Sequence, residues 1–220
     1  MGLNDPVTVQ YVRYIARAVR GDFGECIRWQ GRTINELIFK RVPVSAQLGL
    51  AALIISVVSG IPIGLFAALK QGSIWDTVAV CITLVGQSLP VFLTVPVLLW
   101  LFALKLDILP THGWGGFFDT RIILPAFVLG IPGIAIITRL TRASTLDVIG
   151  QDYIRTARAK GLTERIITYR HILRNSIIPV VTTLGFALAG LASGSFIVEF
   201  WFGIPGVGLL ALESLFNLDY

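Results

Sequence analysis

Four long apolar segments separated by polar connections form the main pattern of the sequence. Each has about the 20 residues that an α-helix needs to cross the hydrocarbon layer of a bilayer. The pattern therefore predicts an all-α, polytopic membrane helix bundle whose four spans cover about residues 44–69, 77–104, 122–140 and 177–200.

Three of these predicted spans contain an internal proline beside glycine or polar residues. Two interpretations stay open: kinks that allow close helix packing, or breaks that line a translocation path. The recurrent Gly, Ser, Thr and Gln and the scarcity of strong charge within the spans favour a polar, uncharged path. The candidate path residues are Gly60, Pro62, Gln87, Ser88, Pro90 and Pro132.

The longest polar connection, about residues 141–176, has the chemistry of two short helices. Asp152 is suited to cap the first helix, and Gly161 to end it in a left-handed turn. Thr163 is then suited to cap the second.

Small residues alternate with long cations in "YIRTARAKGL", which favours close docking of another protein, with charge pairs around the rim. A solvated basic loop that only sets orientation is the alternative.

Composition places the chain in a membrane. It is 55% hydrophobic and 14% charged, with a mean hydropathy of +0.78, which is more apolar than a soluble domain of this size. The net charge of +5 comes from cations that cluster in the polar segments, with seven Lys/Arg before residue 42, eight from Arg139 to Arg174, and none after that. This distribution indicates lipid rather than nucleic acid as the surroundings.

The sequence carries no recognisable catalytic or metal site. Its two cysteines and two histidines are isolated from one another, and neither a phosphate-binding glycine loop nor a nucleophile with an adjacent base is present. We expect the chain not to be an enzyme and to hold no cofactor of its own.

The distribution of cations also predicts orientation. With four spans, each side of the membrane carries nine Lys/Arg. Residues far from a span have little effect on orientation. When the N-terminal cations far from the first span are left out, six remain on the N-terminal side, against nine on the side of the 141–176 connection. The weighted count puts the 141–176 connection in the cytoplasm. The predicted divisions are an extracytoplasmic amphipathic segment (1–42), a transmembrane domain (43–200) with cytoplasmic helices at about 143–175, and an outward-facing interfacial segment (201–220).

Several motifs carry a resemblance to a known family. "RTARAKG" and "RHILRNSIIPVVTTLG" resemble the cytoplasmic coupling segment of permease subunits from ATP-binding-cassette importers, in the dipeptide, oligopeptide and nickel branch. "GDFG" at 21–24, "KRVPVSAQLGL" from Lys40 and "VEFWFGIPGVGLL" from Val198 extend the resemblance over nearly the whole chain. The superfamily's Glu-Ala-Ala motif has an acidic residue where this sequence has Arg155.

The resemblance implies a function and a set of partners. It implies a permease subunit of the cytoplasmic membrane that imports peptides or a similar small solute by alternating access. Its expected partners are a second permease subunit, two cytoplasmic ATPase subunits that hold ATP and Mg, and an extracytoplasmic substrate-binding protein. The residues that would couple to the ATPase are Tyr153, Arg155, Thr156, Ala157, Arg158, Ala159, Lys160, Gly161 and Leu162.

The resemblance also affects the two ends of the sequence. Six spans are expected in this branch, so the chain is expected to be a fragment of a longer subunit. At the C-terminal end, Trp201 and Phe202 resemble an aromatic interfacial belt, followed by a short helix from about Val207 to Leu215. Two roles stay open for this end: a surface anchor, or a contact with the binding protein. Replacing Glu199 and Glu213 would distinguish them.

Two other classes of protein fit the sequence less well. An ion-gradient-driven secondary transporter or channel usually has ionisable groups at the membrane midplane, where this sequence offers only Gln87, Ser88 and the polar positions of "TTLG". A scaffold that only anchors partners does not explain helix breaks in several spans. The substrate stays open among dipeptides, oligopeptides, nickel complexes, glutathione and oligosaccharides.

Overall fold

Helices account for most of the chain. The computed structural model describes residues 6–24, 26, 31, 33–190 and 194–217. In chain order the α-helices are α1 (Val7–Ala18), α2 (Ile34–Leu69), α3 (Ile74–Ser88), α4 (Val91–Leu98), α5 (Ile123–Ile149), α6 (Asp152–Ala159), α7 (Glu164–Ile166), α8 (Arg174–Ser176), α9 (Ile178–Gly190), α10 (Phe196–Phe202) and α11 (Val207–Phe216). Two π-helical segments continue α4 and α7, and a 3₁₀ turn precedes α5: Leu99–Lys105, Ile167–Leu173 and Thr120–Ile122.

The structure supports the all-α membrane bundle. Two helical units, Ile34–Leu69 and Thr120–Ile149, are each long and apolar enough to cross a membrane. Within the described residues the number rises to five if each of three bent helix pairs is one span, so the predicted four falls inside this range. The first span begins ten residues before the predicted edge because α2 continues through Pro43 into the polar residues that precede the apolar run.

Helices α2 and α5 run parallel to each other and pack at short distance. Small residues recur at every fourth position on one face of α2: Ala52, Ser56, Gly60 and Gly64. A Cβ added at Gly60 would lie 2.8 Å from Cγ2 of Ile137, and one at Gly64 would overlap the carbonyl oxygen of Thr138. The two backbones therefore approach as closely as they do because these positions lack side chains.

Hydroxyl groups reinforce this helix pair. The Ser56 hydroxyl lies 2.9 Å from the carbonyl oxygen of Gly130 and is buried between the helices. Further along, the Thr138 hydroxyl donates to the carbonyl oxygen of Gly60 at 3.3 Å. Each bond pairs a hydroxyl on one helix with a main-chain carbonyl on the other, which fixes the register of the two helices as well as their distance.

The second predicted span is divided rather than continuous. Helix α3 ends at Ser88, and the axes of the two helical halves on either side of Pro90 differ by 104°. Leu89 is extended, with φ −76° and ψ 123°, because the ring of the following proline disfavours helical backbone in the residue before it. Pro90 and the polar residues Gln87 and Ser88 predict a kink or break here, and the structure contains one.

The fourth predicted span is also not a single helix. Helix α9 ends at Gly190, and α10 begins at Phe196 and pairs with α11 across a bend of 87°. Gly194, in the connection before α10, has φ +73°, a conformation that favours glycine. Residues 196–200 therefore belong to an α10–α11 hairpin, not to the span formed by α9.

One apolar cluster holds the ends of several helices together. It joins α2, α4, α5 and α10 through Leu48, Val95, Ile122, Leu124, Ala126, Val128, Val198, Phe202 and Ile204. Phe202 is 1% exposed, so the predicted aromatic belt is wrong for this residue, whereas Trp201 is 45% exposed. The two side chains differ because neighbours on a helix point about 100° apart.

Contacts between the connecting segments show which of these segments lie at the same end of the molecule. The backbone N–H of Gly113 donates to the carbonyl of Phe202 at 2.7 Å, which joins the 106–119 connection to the α10–α11 hairpin. Arg41, near the start of α2, lies 3.4 Å from Glu213 of α11. At the other end, Arg142 of α5 pairs with Asp76 at the start of α3. The chain therefore places on each end the connections that the four-span pattern assigns to it.

The α2–α5 contact gives a direct test with a matched control. Gly64→Ala should lower the stability of the purified membrane protein by about 1–3 kcal/mol, because the added methyl group overlaps the α5 backbone. Gly185→Ala, on α9, is the control, since a Cβ there meets no atom within 4 Å and alanine favours helix by roughly 0.5–1 kcal/mol over glycine. Thermal unfolding in detergent should show a lower midpoint for the first variant only. Equal midpoints would contradict the close contact.

Candidate coupling surface and translocation path

The short helix α6 stands at the end of α5 and is fixed there by its own apolar core. Ile154 and Ala157 of α6 pack against Ile167 and Ile172 of the following helical segment. Partly buried side chains from the end of α5, Val148 and Ile149, close the same cluster. Helix α6 and the end of α5 therefore share one packed core.

The local chemistry of α6 agrees in part with the sequence prediction. Gly161 has φ +76°, so the predicted left-handed turn after the helix is confirmed. Gln151, not Asp152, is the N-cap, and Asp152 is the first helical residue, where its charge interacts favourably with the helix dipole. Thr163 is the N-cap of α7, but its side chain makes no capping bond.

Eight of the nine predicted coupling residues are exposed. They are Tyr153, Arg155, Thr156, Arg158, Ala159, Lys160, Gly161 and Leu162, and we call them the coupling surface. The ninth, Ala157, is 6% exposed and packs inside the chain's own cluster. Its small size therefore serves the contact of α6 with the residues beneath it, and its side chain does not lie on the outer surface.

Neighbouring acids partly neutralise the cations of the coupling surface. Arg158 binds both carboxylate oxygens of Glu164, with contacts of 2.9 and 3.4 Å. Arg155 lies 3.4 Å from the exposed carboxylate of Asp152. Surface pairs of this kind contribute little to stability. The surface thus presents guanidinium groups with nearby carboxylates on a helix whose inner face is packed.

The predicted path residues separate into three groups. Gly60 is buried in the α2–α5 contact and Pro132 is partly buried on α5. Pro62 lines an apolar groove between α2 and α3. The remaining three, Gln87, Ser88 and Pro90, are exposed at the α3–α4 break. The structure thus brings together only the residues of this last group.

Sequence reasoning missed three polar contacts. Arg142 binds Asp76 through two bonds of 2.7 and 2.8 Å, and the Gly72 N–H donates to the same carboxylate. Arg139, counted above as part of a polar flank, donates to Gln87 at 2.7 Å. A pairing between residues so distant in sequence leaves no local pattern that would reveal it.

The third contact is made by Glu199, which is fully buried. Its carboxylate accepts hydrogen bonds from the Ser45 hydroxyl at 2.8 Å and from the backbone N–H groups of Ser195 and Leu209. Gly206 and Gly208 lie so close to this carboxylate that a Cβ at either position would be within 3 Å of it. Glu199 therefore fixes the α10–α11 hairpin to α2 and is not available for a partner. A lone acid in the apolar run "FIVEFWF" is a signal that could have indicated burial.

Among the residues that the structure describes, no group of three or more His, Cys, Asp or Glu side chains is arranged to hold a metal ion. A cavity of about 270 Å³ lies between α2, α5 and the start of α10, beside Ser45, Ser56 and Glu199. Its polar lining groups are already hydrogen-bonded to one another or to the backbone.

Comparisons with known proteins agree with this architecture. The family model described as "Binding-protein-dependent transport system inner membrane component" matches residues 60–220. The oligopeptide transport system permease protein OppB of Salmonella typhimurium is 40% identical over 99% of this chain and 71% of that protein. The dipeptide transport system permease protein DppB of Bacillus subtilis is 38% identical over 99% of this chain and 70% of that protein.

A solved structure supports the fold alone. The chain resembles one described as an amino acid ABC transporter with histidines, with a TM-score of 0.58 and 19% identity over 84% of this chain and 81% of that one. Together, the matched family model and the extended identity to its members show that this chain belongs to the binding-protein-dependent transport system inner membrane components, which are multi-pass permeases of the cytoplasmic membrane.

Proposed function

We propose that the chain imports peptides as one permease subunit of an ATP-driven transporter. Its identity of 38–40% to oligopeptide and dipeptide permeases supports this substrate class. The observation that carries the mechanism is the anchored helix α6, whose coupling surface is exposed while its inner face is packed against α5. Family membership also favours this function over an ion-gradient-driven transporter or channel.

The proposed partners follow from this role. A second permease subunit would complete the path, and an extracytoplasmic binding protein would deliver the peptide. Two cytoplasmic ATPase subunits would bind ATP and Mg and dock on the coupling surface. Movement of the docked ATPases would displace α6, and α5 would carry that displacement through the α2–α5 contact to the opposite end of the molecule.

The function is tested in proteoliposomes that contain the subunit in its native complex with the partner permease and ATPases. Uptake of a labelled peptide should require both internal ATP and peptide-loaded binding protein, and a nonhydrolysable ATP analogue should abolish it. Uptake driven by an ion gradient without ATP would contradict the proposal. So would a complex that hydrolyses ATP in response to loaded binding protein yet accumulates no peptide.

The proposed orientation places α6 in the cytoplasm and the 106–119 connection outside. Phe118 is 98% exposed, and Lys160 is exposed on the coupling surface, so a cysteine at either position is accessible without disturbing a packed contact. With Cys26 and Cys81 replaced by alanine, Phe118→Cys should react with an impermeant maleimide added to intact cells. Lys160→Cys should react only in inverted vesicles, prepared from cells that lack the ATPase subunits so that the coupling surface is uncovered. Labelling of both from the same side would refute the orientation.

Docking of the ATPase is tested by adding bulk to the coupling surface. Ala159→Trp should prevent the ATPase subunits from co-purifying with the permease and should abolish uptake, because close docking leaves no room for the indole. Ala211→Trp, also an exposed alanine but on α11 at the opposite end, is the matched control and should retain the ATPases. Co-purification that is undiminished by Ala159→Trp would show that α6 is a solvated loop element.

A further inference from the structure

Two arginines of α5 hold the two ends of helix α3. Arg142 binds the carboxylate of Asp76, in the first turn of α3, with contacts of 2.7 and 2.8 Å. Arg139 donates to the side-chain oxygen of Gln87, in the last turn of α3, at 2.7 Å. Because the two arginines lie one helical turn apart, a single turn of α5 contacts α3 at both of its ends.

The spacing shows that the two arginine side chains extend in opposite directions along α3. Arg139 and Arg142 are about 4.5 Å apart along the axis of α5, at 1.5 Å per residue. Asp76 and Gln87 are about 16 Å apart along the axis of α3. A helix that is held at two such distant points cannot tilt or slide against its neighbour without losing one of the contacts. Helix α3 is therefore fixed to α5 in direction as well as in position.

Asp76 also fixes the turn that leads into α3. Its carboxylate accepts a hydrogen bond from the backbone N–H of Gly72 at 3.1 Å, and its own backbone N–H donates to the hydroxyl of Ser73. Asp76 is 5% exposed, so its charge requires Arg142, because a buried carboxylate without its cation is strongly destabilised. The ion pair thus joins the α2–α3 turn, the start of α3 and α5 at one point.

Stability alone does not account for a buried ion pair at this point. Well-packed apolar side chains of similar volume are often as stabilising as a buried pair, or more so. Two parallel bonds between a guanidinium and a carboxylate, however, fix an angle as well as a distance. The contribution specific to Arg142 and Asp76 is therefore geometric, since the pair sets how α3 stands against α5.

The same part of α5 carries the coupling helix. Arg142 precedes Val148 by six residues, or about 9 Å along the helix. Val148 packs against the cluster that contains Ile154 of α6. The attachment of α3 and the attachment of α6 are therefore neighbours on one continuous helix.

We propose that Arg142 is a positioning residue for ATP-coupled transport, which through Asp76 makes α3 move with α5 as one body. Arg139, which is exposed and has a neutral partner, is a second and weaker attachment. This inference rests on the proposed function, because it requires partner ATPases that displace α6. Transport motions commonly consist of rigid elements that move together, and the ion pair adds α3 to the element that α6 moves.

The first experiment measures whether α3 and α5 keep their distance during the ATP cycle. Spin labels are attached to Val85→Cys on α3 and Asp147→Cys on α5, in a chain whose Cys26 and Cys81 are replaced by alanine. Val85 is 61% exposed and Asp147 is exposed, so neither label disturbs a packed contact. Double electron–electron resonance on the native complex in nanodiscs should give the same narrow distance distribution without nucleotide and after trapping with ATP and vanadate. A distance that differs between these two states would overturn the proposal.

The second experiment removes the ion pair without leaving a charge behind. Asp76→Asn combined with Arg142→Gln replaces both groups by neutral amides. The spin-label distribution should become broader and should differ between the two nucleotide states. In proteoliposomes, the amount of peptide accumulated per ATP hydrolysed should fall roughly tenfold, which corresponds to the loss of one charge-assisted hydrogen bond. The ratio falls because ATP hydrolysis continues while α3 no longer follows α5.

The same amide substitutions at the other end of α5 are the matched control. Asp119 and Arg121 form an ion pair of 3.8 Å in the turn before α5. Asp119→Asn combined with Arg121→Gln should leave the ratio of peptide to ATP unchanged. An equal fall in this control would overturn the assignment to the attachment of α3.

A purely structural role of the pair predicts a different pattern. In that case the double variant of Asp76 and Arg142 would lower the yield of assembled complex but not the ratio of peptide to ATP, and the proposal would be wrong. Should this variant fail to assemble, Arg142→Lys takes its place and should also lower the ratio, because it keeps the charge but not the two parallel bonds. A wild-type complex that accumulates no peptide would refute the proposed function, whereas the spin-label distances need no peptide and would still test the ion pair.

Discussion

The parallel contact between α2 and α5 is the constraint on which the rest of the structure depends. Absent side chains at Gly60 and Gly64 let the two backbones approach, and hydroxyl groups then fix their register. In a membrane this contact has little hydrophobic driving force, so close packing and hydrogen bonds must stabilise it. The end clusters are built on this pair: α10 packs near Leu124 at one end of α5, and α6 packs against Val148 and Ile149 at the other.

Continuity of α5 connects these two ends. The helix extends from the apolar cluster at Leu124 to the α6 cluster at Val148 without interruption. Near the α6 end, the Arg142–Asp76 pair also attaches the start of α3. In the proposed mechanism, a displacement of α6 would reach α5 and α3 together, and the α3–α4 break at Leu89 would allow α4 to move separately. Rigid elements joined at a local break are the usual means of hinge motion.

The sequence predicts turns and helices, which depend on neighbouring residues, but it does not predict which side chains are buried against other helices. Gly161 and the α11 helix are correctly predicted because turn and helix signals lie within a few residues. The roles of Ala157 and Phe202 are not, since a small or an aromatic side chain has the same sequence signature whether it points inwards or outwards. The break at Leu89 follows from the adjacent Pro90 and polar residues, whereas the end of α9 at Gly190 falls inside a predicted span and was not predicted.

Charged side chains on the helices are satisfied in three distinct ways in this chain. Glu199 is enclosed by donors from its own backbone and from Ser45, which makes it part of the architecture. Arg142 meets a carboxylate of equal and opposite charge and is likewise complete. Arg139 is exposed and donates to the neutral amide of Gln87, a contact that does not neutralise its charge. The first two side chains are therefore part of the fold itself, because removing either partner would leave a buried charge unpaired, whereas the contact of Arg139 can be lost without that cost.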